Sequence, residues 1–287
     1  MRCFALSTHA ATLAEQAQQA RELLDADAAI HHSMACTSRH QRMLELKADA
    51  LRAIGNLNLI SAVVPMGKLA WLMWSSKPPK PQLTPASRQE LVWKSGQHGE
   101  TLARQHFEGI LDDDWTGVSG YMNEKGEIDL VLVGPHGIIC LEIKYFNALV
   151  HCVEDVWTRD KFDRYGNLVQ SGLPIKDKTG RSPARQLLEP CAAFAQFLQK
   201  WGLPFEVPIR TAVLLTHANS RVGRVRSTTV DFIGRLDEFT VESLMEISGN
   251  RPPSVNVPVV VELLHMHHHQ CAEQRAGHRA TSTGGHE

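Results

Sequence analysis

Residues 126–144 constrain this chain more than any other stretch. Two apolar, β-branched runs, Gly126-Glu127-Ile128-Asp129-Leu130-Val131-Leu132-Val133 and Ile138-Ile139-Cys140-Leu141-Glu142-Ile143-Lys144, flank the turn Gly134-Pro135-His136-Gly137. Runs of this length around a Gly-Pro/Gly turn predict a β-hairpin. Side chains alternate faces along a strand, so Glu142 and Lys144 point the same way, about 6–7 Å apart along it. Ile143 points into the opposite face. Asp129 lies near the start of the first strand and Glu142 near the end of the second, so antiparallel pairing brings them together. Three ionisable groups at the edge of an apolar hairpin are poor stabilisers, which directs attention to chemistry.

A carboxylate pair suits a hard divalent cation such as Mg²⁺ or Mn²⁺, which prefers oxygen ligands. Such an ion lowers the pKa of bound water and neutralises charge on a phosphodiester oxygen. Lys144 is placed to orient the attacking water or to stabilise charge that develops during reaction. The competing reading is an ordinary strand-edge ion pair between Glu142 and Lys144, with Asp129 as a turn residue. The surrounding elements bear on that choice. Upstream, Ser95-Gly96-Gln97-His98-Gly99-Glu100 leads into a helix with apolar Leu102, Phe107, Ile110 and Leu111. Glu100 falls near its first turn, where a carboxylate complements the helix dipole; its alternative role is a third acidic group at a metal. Downstream, 148–153 reads as a third strand, followed by a long polar loop. Ser182 then reads as an N-cap with Pro183 at the first helical position, opening a helix that continues through Phe194, Phe197 and Leu198. A further strand follows at 209–216. The order is helix, three strands, helix, strand.

From about 95 to 244 the chain resembles the nuclease-related domain (NERD) family, a branch of the PD-(D/E)xK phosphodiesterase superfamily. The resemblance rests on Gly99-Glu100, Gly126-x-Ile128-Asp129, Gly137 ahead of Leu141-Glu142-Ile143-Lys144, Trp157, and Pro183-x-x-Gln186 opening a helix. It implies an α/β, restriction-endonuclease-like core, a mixed central sheet flanked by helices, here with an N-terminal helical region. It implies Glu100, Asp129, Glu142, Lys144 and Gln186 as the site, with the first three at a Mg²⁺ or Mn²⁺ ion. Gln186 would help to position metal, water or phosphate. The implied activity is metal-dependent hydrolysis of phosphodiester bonds, of DNA first and RNA second. Tyr145 stands where the family usually has Asn or another polar residue. The runner-up function is a non-catalytic nucleic-acid-binding or membrane-tethering module on a nuclease scaffold. Retention of every acidic group and the lysine favours catalysis.

The net charge of −1 over 287 residues excludes a globally basic nucleic-acid binder. Locally the balance differs. Between Arg159 and Arg185 there are seven Lys/Arg (Arg159, Lys161, Arg164, Lys176, Lys178, Arg181, Arg185) against three Asp (160, 163, 177), an excess of +4. Arg221, Arg224 and Arg226 form a second cluster. Such patches give salt-dependent, sequence-independent contact with phosphates, so Lys161, Arg164, Lys176, Lys178, Arg181 and Arg185 are candidate nucleic-acid contacts; a solvated loop is the alternative. Phe162 and Tyr165 offer rings that either stack on bases or pack on their own loop. Six cysteines without a C-x-x-C pair read as buried or free thiols of a reducing compartment, with neither a zinc motif nor a disulfide framework. His265-x-His267-His268-His269 precedes a polar end and is expected to be a solvated terminus rather than a transition-metal site.

The expected organisation is an N-terminal helical region at 1–56, an apolar segment at 57–76, a stiff Pro-rich linker at 77–94, the nuclease-related domain at 95–247, and a C-terminal segment with a His-rich polar tail at 248–287. Residues 57–74 are either a buried helical hairpin or a membrane span or interfacial anchor with Trp71 and Trp74 at one end. Lys68 near the middle would cost roughly 2.5–3.5 kcal/mol on insertion, and Pro65 would kink a helix there. The start of the chain lacks a basic stretch and an early apolar block, so the expected location is the cytoplasm, with attachment to the inner face of a membrane as an option.

Overall fold

A computed structural model describes residues 1–7, 9–56, 59–75, 77–82, 84–163, 165–202, 207–226, 228–249 and 252–282. In chain order its elements are β1 (Arg2–Ala5), α1 (His9–Gly55), α2 (Leu59–Trp74), α3 (Arg88–Ile110), β2 (Thr116–Asn123), β3 (Gly126–Gly134), β4 (Gly137–Lys144), β5 (Ala148–Val153), β6 (Val156–Phe162) and β7 (Leu168–Pro174). They continue with α4 (Pro183–Lys200), β8 (Ile209–Leu215), β9 (Arg221–Arg226), β10 (Phe232–Arg235), a 3₁₀ turn (Leu236–Glu238), α5 (Val241–Ile247) and α6 (Val257–Ser282).

The apolar runs around Gly134-Pro135-His136-Gly137 form the expected antiparallel hairpin of β3 and β4, in register from Gly134 opposite Gly137 to Leu130 opposite Leu141. These two strands are central in a six-stranded mixed sheet ordered β1-β2-β3-β4-β8-β10. Because the sheet is covered on both faces, the strands are apolar on both sides. Val131, Val133, Ile138 and Cys140 pack with Leu187 and Phe194 of α4 and with Val260 and Leu264 of α6. The alternate residues Leu130, Leu132, Ile139 and Leu141 pack with Ala103 and Phe107 of α3 and Leu244 of α5. The result is a layered α/β core with helices on both faces, consistent with a nuclease-like fold.

Several expectations are corrected. β2 enters ahead of the hairpin, so the consecutive antiparallel trio of the main sheet is β2, β3 and β4. The expected third strand, β5, leaves for a second, four-stranded sheet ordered β7-β6-β5-β9. The long polar loop after it contains β6 and β7. At the start of the chain, Arg2–Ala5 is a strand paired parallel to β2 rather than part of a helical region. The tail after β1 crosses close over β2 at Gly120, whose φ of +67° is left-handed and where a Cβ would collide with the Ser7 carbonyl; only glycine takes that conformation without strain. Helix α3 begins at Arg88, inside the segment expected to be linker, and the His-rich run lies within α6.

The chain divides into one compact unit of 1–12 with 92–287 and another of 13–91. In the second unit, Arg39 of α1 donates to the carbonyls of Leu72 and Ser75 at 2.5 and 2.8 Å, satisfying the C-terminal end of α2 with a cation where the helix dipole is negative. The backbone N–H of Thr84 donates to Asp25 and Arg21 pairs with Glu90 at 3.4 Å. Helix α2 has 16 residues with Pro65 inside, and no described helix is long and apolar enough to cross a membrane. Val63, Trp71 and Trp74 are exposed, Trp74 by 92%, so this segment is not a hairpin buried within the chain.

Candidate functional site

The β3–β4 ladder stops at Leu130 and Leu141, while β4 stays paired with β8 as far as Lys144 opposite Leu215. Past that point the edge of β4 facing β3 is taken over by a side chain: Asp129 Oδ2 accepts the backbone N–H of Ile143 at 2.6 Å. Asp129 therefore terminates the ladder and holds its carboxylate beside Glu142 at the fork. Glu142 is buried, 3% exposed, and its Oε1 is in direct contact with Lys144 Nζ. The expectation of a strand-edge location fails in one respect: β3 and β4 are interior strands, and these charges sit where the sheet opens rather than on an outer edge.

Helix α4 supplies the opposite wall. Ser182 caps it, its hydroxyl accepting the Arg185 N–H at 3.3 Å, and Pro183 opens it, both as expected. One turn in, Gln186 donates through Nε2 to the Arg181 carbonyl at 3.0 Å and accepts from Lys144 Nζ through Oε1 at 3.0 Å. The lysine is thus held between Glu142 and Gln186.

Glu100 comes from α3. Since that helix starts twelve residues earlier at Arg88 with Glu90 in its first turn, Glu100 lies in mid-helix and the dipole explanation for it falls. Gly99 sets how close it comes: a Cβ there would lie 2.8 Å from Thr216 Oγ1 and 3.1 Å from Tyr145 Cβ, so any larger residue would push α3 off the ends of β4 and β8. Tyr145, the departure from the family pattern, packs edge-on between His98 and His217 with centroids 5.2 and 4.8 Å away.

The electrostatics of this group are unusual. Burial, then the Glu127 and Glu142 charges, push Glu100 up to about 7, against the pull of Lys144. Burial and then Glu142 raise Asp129 well above the usual carboxylate range, and burial raises Glu142 despite Lys144. Lys144 moves the other way: burial would pull it down, but Glu142 and Asp129 hold it up and charged. Glu127 was not among the sequence candidates. It precedes Asp129 by two on β3, and its Oε1 accepts from Ser7 Oγ at 2.7 Å. The signal for it was the strand's own period of two, which puts residues 127 and 129 on one side. The structure thus brings Glu100, Asp129, Glu142, Lys144 and Gln186 together and adds Glu127.

The candidate nucleic-acid contacts separate into two kinds. Lys161, Lys176 and Lys178 are exposed. Arg181 instead pairs with Asp177 at 2.8 Å and Glu189 at 3.4 Å, and Arg185 pairs with Glu189 at 2.9 Å, so both have structural partners. Arg164 lies outside the described residues. The aromatic signature Trp157 is 3% exposed in the core beneath β6.

A mixed sheet flanked by helices, with carboxylates and a lysine gathered where two central strands part, is consistent with a nuclease-like core. Residues 95–216 match the family model described as nuclease-related domain. Over that stretch the chain is similar to the nuclease-related domain family, a similarity that suggests a nuclease-related function, with nucleic acid as the class of partner and divalent metal use. No curated protein and no solved structure matches the chain.

Proposed function

We propose that the protein is a Mg²⁺- or Mn²⁺-dependent nuclease that hydrolyses phosphodiester bonds of DNA, with RNA as the alternative substrate. The observation that carries this reading is the convergence of the Glu100, Asp129 and Glu142 charges at the strand fork, where desolvation and mutual repulsion raise all three pKa values. Like charges buried together destabilise a fold unless a cation offsets them. The donors are all oxygens, which fits a hard divalent ion and disfavours softer metals. Asp129 and Glu142 would hold the ion, with Glu100 assisting. When bound it supplies charge neutralisation at the phosphate and a more acidic water.

The chain's own residues do the rest. Glu142 and Gln186 fix the Lys144 ammonium, so its positive charge is in place before the scissile phosphate acquires further negative charge; such preorganised charge lowers the barrier. The Arg181 carbonyl sets the direction of the Gln186 amide. Just beyond the end of β4, a cleft of about 340 Å³ is lined by Asn147, Phe162, Arg221 and Arg235 among others. With Lys161, Lys176 and Lys178 exposed, it offers a route for a phosphate backbone.

The test is cleavage of supercoiled, linear and single-stranded DNA by the purified protein in Mg²⁺ or Mn²⁺ and in EDTA, beside a Glu142→Ala/Lys144→Ala preparation. Cleavage by wild type alone, lost in EDTA, is the expected result. No cleavage by wild type, with salt-dependent DNA binding in both preparations, would replace this reading with a non-catalytic nucleic-acid-binding module.

A further inference from the structure

The His-rich run is not a solvated terminus. Val260, Leu263, Leu264, His267, His268 and Cys271 are all buried and recur at 3–4-residue spacing, so α6 lays one continuous stripe, histidines included, against β2 and α4. His267 stacks on Phe197 of α4, with centroids 3.9 Å apart and planes 3° from parallel. Its Nδ1 is hydrogen-bonded to the Tyr121 hydroxyl at 2.5 Å. That leaves Nε2 aimed at the turn between β2 and β3, where Glu124 Oε2 lies 3.6 Å away. Cys271, one turn along the same face of α6, has its Sγ 3.7 Å from the same carboxylate oxygen. One ligand atom from each of Glu124, His267 and Cys271 falls within 4.8 Å of the others.

We propose that Glu124, His267 and Cys271 form a second metal site, specific for zinc and separate in chemistry from the oxygen-only site at the strand fork. Zn–S bonds of about 2.3 Å and Zn–N or Zn–O bonds of about 2.0–2.2 Å around a tetrahedral ion set ligand atoms roughly 3.3–3.6 Å apart. The separations of 3.6 and 3.7 Å from Glu124 need only a small contraction, and His267 Nε2 and Cys271 Sγ, within 4.8 Å of each other, close to that range by a modest side-chain adjustment. A thiolate, an imidazole and a carboxylate suit a borderline-soft ion and suit Mg²⁺ poorly. With Nδ1–H donating to the Tyr121 hydroxyl oxygen, Nε2 is left free for the metal, and Tyr121 then serves as the outer partner that orients a ligating histidine. On binding, the Cys271 thiol gives up its proton to solvent and its sulfur takes the metal.

Three protein ligands leave the fourth position for water. Glu124 is half exposed, at 51%, so the ion has an entry path from solvent. The ligands join two elements: α6 donates two, and the β2–β3 turn donates one. That turn is also gripped by Arg181 Nη1 through the Lys125 carbonyl at 3.2 Å, and it leads directly into Glu127 and Asp129. Zinc here would pin α6 to the strand pair that carries the acidic fork.

The experiment is metal analysis and Co²⁺ substitution on the full chain. Wild type should retain one zinc per chain after gel filtration and, with Co²⁺, show thiolate-to-cobalt charge-transfer absorption in the near ultraviolet. Cys271→Ser should abolish that band, and His267→Ala and Glu124→Gln should each reduce bound zinc to background. Glu124→Gln sits on the exposed turn and leaves the core untouched, so its loss of zinc cannot be ascribed to misfolding. Cys36→Ser, which removes the exposed thiol near His32 on α1, should leave the band intact, as should Glu142→Ala at the other site. Tyr121→Phe should weaken zinc binding about tenfold or more without abolishing it. A band that survives Cys271→Ser, or zinc retained equally by Glu124→Gln, would overturn the assignment, as would wild type that binds no zinc.

Discussion

Carboxylates in two regions of this molecule meet opposite fates. In the segment from β6 to α4, every aspartate is supplied with donors by its own neighbourhood. Asp160 is lowered by the Ser171 hydroxyl and the Gly172 N–H, and Asp163 by the Asn167 side chain and nearby N–H groups. Partial burial would raise Asp177, but the Arg181 and Thr179 N–H groups, the Thr179 hydroxyl and the Arg181 guanidinium hold it at about 2. At the strand fork the reverse holds. Glu142 is buried, Glu100 and Asp129 are partly buried, their charges repel one another, and they share Lys144 as their principal cation. The first region shows what acids look like when the protein alone satisfies them. The second shows acids the protein leaves short of positive charge, which is why the fork and not the loop is read as a metal site.

Substitutions at the fork should give the largest effects on activity. Glu142→Ala removes both a proposed metal ligand and the partner that fixes Lys144, and should lower DNA cleavage by 10²–10³-fold or more, measured as initial rates on supercoiled DNA at saturating Mg²⁺. Cleavage within a few-fold of wild type would erase the distinction between the two regions. Gln186→Ala leaves the acids in place and frees only the lysine, so the expected loss is smaller, about 10-fold to 10²-fold in rate. Affinity for Mg²⁺, read from the metal dependence of the rate, should be nearly unchanged.

How far this contrast was legible beforehand depends on which forces set each element. The β3–β4 hairpin, the Ser182-Pro183 start of α4 and the β8 strand were read correctly because turn residues, a cap and apolar runs are local signals. The gathering of Glu100 with Asp129 and Glu142 was legible only through the family resemblance, since α3 reaches the fork by tertiary packing at Gly99. Strand β2 was missed because Thr116-Gly117-Val118-Ser119-Gly120 is rich in turn formers and becomes a strand by pairing with both β1 and β3. Strands β6 and β7 were missed because their charged and polar residues, such as Arg159, Asp160, Lys161 and Gln170, belong to a sheet with an exposed side. Composition misled most at α6: the histidines look solvated, while their spacing with Val260, Leu264 and Cys271 is that of a buried helical stripe.

The two regions also differ in what removing a charge should do to the fold, and here the sign is the test. A carboxylate whose folded pKa is raised binds more protons folded than unfolded, so stability falls as pH rises from its unfolded value of about 4.5 through its folded value, about 7 for Glu100. Without divalent metal, Glu100→Gln should therefore be more stable than wild type at pH 8, by on the order of 1–3 kcal/mol, and equal to it at pH 4. Adding Mg²⁺ should close the gap at pH 8 by stabilising wild type. Asp177→Ala should do the opposite and by less. A depressed pKa contributes stability that is present above about 4 and lost as pH falls through about 2, so this variant should be about 1 kcal/mol less stable than wild type at pH 7, with the difference vanishing toward pH 2. Thermal melts of both variants in EDTA across this range decide the matter. If Glu100→Gln destabilises the chain as Asp177→Ala does, the fork is satisfied by the protein's own groups, and the case for a cation there loses its electrostatic basis.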